Sequence, residues 1–185
     1  MNRTPPPAAG RRVLVAGIGN IFLGDDGFGV ETIRRLAAHP LPPDTELVDT
    51  GVRGVDLAYR MLDGYDTVVL VDAVPGDGPP GTVRLIEPKR AQAPPGPAVI
   101  DGHHMTPDAV LALLDHLSES TGGGKPRRVL VVGCVPECLD EGIGLSGPVA
   151  AAVEEAVRLL RRILSDATAV RPAAPAPASG PGACP

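Results

Sequence analysis

Three short stretches carry residues able to do acid–base or metal chemistry. The first is Gly17-Ile18-Gly19-Asn20-Ile21-Phe22-Leu23-Gly24-Asp25-Asp26-Gly27-Phe28-Gly29, a glycine-rich loop with two adjacent acids. The second is Asp72, which closes the apolar run Thr67-Val68-Val69-Leu70-Val71. The third is His103-His104, which follows Asp101-Gly102 and precedes Thr106-Pro107. Two carboxylates and an imidazole form a hard-to-borderline donor set suited to zinc, nickel or a similar divalent ion. The same carboxylates could act as general bases.

Each feature has a plainer alternative. Asp25 or Asp26 could cap the helix that follows, where the helix dipole favours a carboxylate. That explains one acid, not both. Asp72 could be a surface turn residue, given Pro75-Gly76-Asp77-Gly78 just beyond it. A histidine is more often solvated or structural than a ligand, and His39 and His116 fit that description on or at the ends of helices. Cys134 and Cys138 form a C-x3-C pair, whereas zinc and redox sites favour C-x2-C with further ligands. Cys134 is expected to pack in the core, and Cys184 lies in the terminal tail.

Nucleotide readings of the first loop fail on its residues. The dinucleotide fingerprint needs glycine where Phe22 stands. A phosphate-binding loop spaced on Gly19 and Gly24 needs Lys-Ser/Thr where Asp25-Asp26 stand. Two carboxylates would repel a phosphate and attract a cation.

The elements that must position these groups alternate along the chain. Val13–Ala16 reads as a strand, 29–38 as a helix, 46–48 as a weak strand and 55–62 as a short helix. Thr67–Val71 is the strongest strand, with the continuous apolar character of one buried on both faces. Residues 82–86 read as a strand at an edge or with an antiparallel partner. Thr106 as N-cap with Pro107 at the first helical position opens a helix to about residue 117. Residues 128–132 form the last strand, and Ser146-Gly147-Pro148 starts the final helix, with Val149, Val153, Val157, Leu160 and Leu164 on one face. Such alternation predicts an α/β fold, a mostly parallel sheet with helices on both faces. Ligands in these folds sit at the carboxyl ends of strands, where Gly17–Gly29, Asp72-Ala73 and Gly133–Gly144 fall, while Asp101–Thr106 leads into a helix N-terminus.

Composition narrows the function classes. The chain has 185 residues, one domain's worth, and a net charge of −5. That balance argues against nucleic acid or an anionic membrane as partner. No apolar run approaches the roughly 18 residues of a membrane span. Aromatics are only 2%, so Val, Leu, Ile and Ala must build the core. Gly (23) and Pro (22) concentrate at the ends and in loops. Residues 1–10 and the Ala/Pro-rich 166–185 are therefore expected to be disordered, leaving 11–165 as the folded domain. Three cysteines make no disulfide framework and fit a reduced, cytoplasmic setting.

Together these residues resemble the nickel–iron hydrogenase maturation proteases. The resemblance rests on Gly17-Ile18-Gly19-Asn20 with Leu23-Gly24-Asp25-Asp26-Gly27 and Gly29-Val30. It continues through Asp49-Thr50-Gly51 with Gly54 and Leu57, Val71-Asp72-Ala73, and His103-His104-Met105. It closes on Gly133, Pro136-Glu137 and Gly142-Ile143-Gly144-Leu145-Ser146. All occur in family order and span about residues 12–165.

The resemblance implies a single three-layer domain with a five-stranded, mostly parallel twisted sheet. It implies an endopeptidase, aspartic-type or metal-assisted, that removes a short C-terminal extension from a hydrogenase large-subunit precursor after nickel insertion. Cleavage would follow a basic residue just past the last metal-binding cysteine motif of that substrate. Carried over residue by residue, the metal-binding acid of the first loop falls on Asp26, where many relatives have Glu. The strand-end acid falls on Asp72, and the histidine on His103 when the family's H-x-hydrophobic pattern is aligned with His103-His104-Met105. Asp26 and Asp72 are then also the catalytic candidates, with Asp25, Asp49 and His104 supporting them. Nickel would arrive with the substrate, not as a permanent cofactor, and the protein would work as a monomer. The alternatives are a non-catalytic nickel-sensing chaperone on the same fold, a nucleotide-binding α/β protein and a general aspartic peptidase.

Overall fold

The computed structural model describes residues 12–88 and 106–169. Its elements are β1 (Val13–Ile18), a 3-10 turn (Gly24–Gly27), α1 (Phe28–Leu36), β2 (Thr45–Gly51) and α2 (Gly54–Arg60). They continue as β3 (Thr67–Ala73), β4 (Val83–Ile86), α3 (Pro107–Thr121), β5 (Arg128–Cys134) and α4 (Gly147–Ala169). The five strands form one sheet in the order β2-β1-β3-β5-β4. All neighbours run parallel except β4, which lies antiparallel to β5 at the edge, with Val83 opposite Cys134 and Ile86 opposite Val131.

Period-two alternation divides the apolar residues between two faces. Val13, Val15, Val69, Val71, Leu130 and Val132 pack with Phe28, Ile33 and Leu36 of α1 and the apolar stripe of α4. Leu14, Ala16, Ile18, Val68 and Leu70 pack with Leu57 and Ala58 of α2 and Val110, Leu113, Leu114 and Leu117 of α3. The central strands are therefore apolar on both sides, and a three-layer domain results.

The elements match the expected ones with differences at their ends. β3 runs two residues past Val71, so Asp72 lies inside the strand and not in a turn beyond it. Thr106 caps α3 as expected, its hydroxyl accepting from Ala109 N at 3.3 Å. Gly122 ends that helix in the left-handed conformation. α4 continues to Ala169, so the helix enters the stretch from 166 onward that composition assigns to a disordered tail. Among the described residues, no helix is long and apolar enough to cross a membrane.

Two glycines let α1 press against the sheet. A Cβ on Gly29 would fall 2.2 Å from Val71 O and 2.3 Å from Ile18 O. One on Gly17 would fall 2.5 Å from Gly29 O. The start of α1 therefore sits directly on the carboxyl ends of β1 and β3, and the loop before it is drawn over the same place.

Candidate active site

β1 is the point at which the strand order reverses, with β2 on one side and β3 on the other. The connection after β1 goes to α1 on one face, and the connection after β2 goes to α2 on the other. Ligand sites in such sheets lie outside the carboxyl ends of the strands. Asp26 stands in the loop after β1 and Asp72 at the end of β3, and Gly17 of β1 pairs with Val71 of β3, so both acids lie at these neighbouring carboxyl ends.

Asp72 is 4% exposed. Among the described residues its Oδ1 accepts one hydrogen bond, from Ala73 N at 2.9 Å. Burial pushes its carboxyl well above the usual range, the charge of Asp26 pushes it further, and the Ala73 bond only partly opposes them. Asp26 thus lies close enough to act on Asp72 electrostatically. It is half-buried, and its Oδ2 accepts from Asn20 N at 2.6 Å. Gly19 makes this fold-back possible, with φ at +123° and a Cβ position that would fall 1.8 Å from Asp26 O.

Asp25 does something different from its neighbour. It is fully buried. Its Oδ2 accepts from Glu137 N at 2.8 Å, Cys138 N at 3.0 Å and Ser146 Oγ at 2.9 Å. Its Oδ1 accepts from Ser146 N at 2.7 Å. Burial raises its pKa, but the bonds from Cys138, Ser146 and Glu137 outweigh burial and leave the carboxyl below its usual range. The helix-capping alternative is not what is seen, because Gly27 is the N-cap of α1 and no side chain bonds there. Asp25 instead ties the first loop to the one between β5 and α4. Nothing in the spacing of Asp25-Asp26 distinguishes their roles, and Ser146 read only as a helix start and as part of the closing motif.

Asp49 points toward α1, with Oδ2 3.8 Å from Arg34 Nη2 on an exposed part of the surface. Its neighbour Thr50 is buried, and its hydroxyl has no hydrogen-bond partner among the described residues. His103 and His104 lie outside the described residues. Among the described residues, no group of three or more His, Cys, Asp or Glu side chains is placed to hold a metal ion. Cys134 packs in the core, and burial foremost, then Asp25 and Glu155, pushes its thiol up to about 11. Cys138 is an exposed free thiol, 3.5 Å from Asp140 Oδ2.

Asp72 is buried beside the charge of Asp26 and accepts a hydrogen bond from Ala73 N alone among the described residues. A buried carboxylate with one backbone donor is costly unless it gains a proton or a cation. Hard to borderline divalent ions suit this donor set, and a proton held by one carboxyl suits hydrolysis of a polarised carbonyl.

Comparison with known proteins converges on one family. A model described as "Hydrogenase maturation protease" matches residues 30–163. The hydrogenase expression/formation protein HupD of Rhizobium leguminosarum bv. viciae is 32% identical over 163 residues, 85% of this chain and 77% of that protein. The hydrogenase 2 maturation protease of Escherichia coli K12 is 32% identical over 149 residues, 79% of this chain and 86% of that one. The structure of the hydrogenase maturating endopeptidase HybD from E. coli superposes with a TM-score of 0.66 at 30% identity, covering 84% of this chain and 93% of that one. A hydrogenase 2 maturation peptidase from a Thaumarchaeota archaeon gives 0.63 at 32% identity, covering 83% and 98%.

Proposed function

Because the chain belongs to the hydrogenase maturation protease family, we propose that it removes a short C-terminal extension from a nickel–iron hydrogenase large-subunit precursor once nickel is in place. The observation that carries this reading is the Asp26–Asp72 pair at the neighbouring carboxyl ends of β1 and β3, with Asp72 buried and accepting one hydrogen bond, from Ala73 N, among the described residues.

Nickel enters as part of the substrate. Asp26 and Asp72 would meet it, with His103 completing the set. A cation there supplies the positive charge the buried carboxylate lacks, so a precursor without nickel is bound poorly. The metal thereby reports that the precursor is mature.

For hydrolysis, Asp26 has the better-placed carboxylate. Asn20 N occupies Oδ2, and Oδ1 has no hydrogen bond among the described residues. That oxygen can take a proton from an attacking water. The same carboxyl can then return that proton to the leaving amine as the peptide C–N bond breaks, while Asp72 keeps its charge for the nickel.

The test is the intact mass of a nickel-loaded precursor before and after incubation with the protein. A loss equal to a short C-terminal peptide, absent for the nickel-free precursor, is expected. Binding of the loaded precursor without any loss of mass would instead assign the chain as a nickel-sensing assembly chaperone.

A further inference from the structure

Between β5 and α4 the chain reads Glu137-Cys138-Leu139-Asp140-Glu141-Gly142-Ile143. Leu139 is exposed, and Ile143 is 83% exposed. Phe22, on the loop that carries Asp26, is 61% exposed. The only other phenylalanine, Phe28, is completely buried. Burying such side chains against a partner is favourable by about 1.5–3 kcal/mol each.

These side chains stand on a fixed frame. Gly142 N donates to Phe22 O at 2.9 Å, and Gly24 N donates to Gly142 O at 3.0 Å. Leu23 and Gly142 form a β-bridge. The bonds to Asp25 lock the base of the same two loops. A patch held this way loses little entropy when it docks.

Its fringe is acidic. Glu137, Asp140 and Glu141 are exposed, and none pairs with a Lys or Arg among the described residues. Arg34 and Arg35 line the cavity of about 310 Å³ that Ile143 borders, but they are engaged by Glu31, Asp49 and Glu154.

From this geometry we infer that Phe22, Leu139 and Ile143, with Glu137, Asp140 and Glu141 around them, dock a segment of the precursor that combines apolar side chains with Lys or Arg. The inference rests on the processing reading and names what that site recognises besides the metal. The acids speed and orient the encounter, and the apolar side chains hold the complex. A second copy of this chain fits worse, since its net charge of −5 sets acid against acid.

Steady-state processing of nickel-loaded precursor by two variants tests this. One is Phe22→Ser with Ile143→Ser; the other is Glu137→Gln with Asp140→Asn and Glu141→Gln. The apolar variant should raise KM roughly tenfold, as expected for loss of central interface side chains, with kcat within about twofold. The charge variant should raise KM less and remove its dependence on salt, because exposed charges are screened. Urea midpoints confirm folding, and Ile143→Ser alone serves if the double variant does not fold. Unchanged KM in both variants, with an active wild type, overturns the docking surface and leaves the processing reading intact. A wild type that neither binds nor cleaves the loaded precursor overturns both. A wild-type dimer in sedimentation that the apolar variant abolishes assigns the patch to self-association and overturns the inference.

Discussion

Asp25 and Ser146 are joined by two hydrogen bonds, backbone N to Oδ1 at 2.7 Å and hydroxyl to Oδ2 at 2.9 Å, across 121 residues of sequence. With Glu137 N and Cys138 N they make a buried carboxylate the knot between two loops. One of those loops presents Asp26. The structural acid and the proposed chemical acid are thus adjacent, and one holds the other's loop in place.

Asp25→Asn should therefore destabilise the protein. An amide NH2 would be turned toward backbone N–H donors, and the negative charge that strengthens each bond would go. The expected loss is roughly 2–4 kcal/mol, read as a lower urea midpoint with unchanged slope. A midpoint equal to wild type would show that the knot contributes nothing.

The pH dependence of the same residue has a definite sign. Its folded pKa lies below the usual value, so the folded state binds the proton less readily than the unfolded chain. The stabilisation is present above the unfolded value near 3.8 and is lost as pH falls through the lower folded value. Acid unfolding of wild type should accordingly be steeper below about pH 4 than that of Asp25→Asn. Parallel acid limbs in the two proteins would contradict this.

Asp72 has the opposite sign. Burial and Asp26 raise its folded pKa, so ionising it as pH rises costs stability that the unfolded chain does not lose. Asp72→Asn keeps an oxygen for Ala73 N and carries no charge. Its thermal midpoint should exceed that of wild type near neutral pH, and the gap should close toward pH 4. Precursor processing should be abolished in the same variant. An inactive variant less stable than wild type at neutral pH would mean that Asp72 is held by more than Ala73.

Legibility in the sequence followed burial. Thr67–Val71 read as a strand because a central parallel strand is apolar on both faces, whereas β2 is an edge strand of mostly half-buried residues and showed only as 46–48. The acids were visible as residue types at loop and strand ends. Their division of labour was not, since it depends on where the 137–146 loop passes. The adjacency of β1 and β3, which brings the two acids together, depends on strand order, and periodicity along the chain does not encode that order. α4 outran its expected end because a helix in progress gains one hydrogen bond for each added residue, and Ser165-Asp166-Ala167 contains neither proline nor glycine to stop it.

Two glycine substitutions separate the fold from the site. Gly29→Ala would place a methyl 2.2 Å from Val71 O and 2.3 Å from Ile18 O, both backbone atoms of central strands. α1 would have to lift from the sheet, at a cost on the order of 1–3 kcal/mol or more. Gly19→Ala meets Asp26 O at 1.8 Å and forces alanine into φ +123°, but this clash lies in a loop beyond β1. The strand pairs and helix contacts below it can stay in place while Asp26 shifts and loses Asn20 N. The expected pattern is a large fall in the urea midpoint for Gly29→Ala, and for Gly19→Ala a smaller fall with a disproportionate loss of processing rate. Equal ratios of lost activity to lost stability in the two variants would show that the position of Asp26 does not limit the reaction.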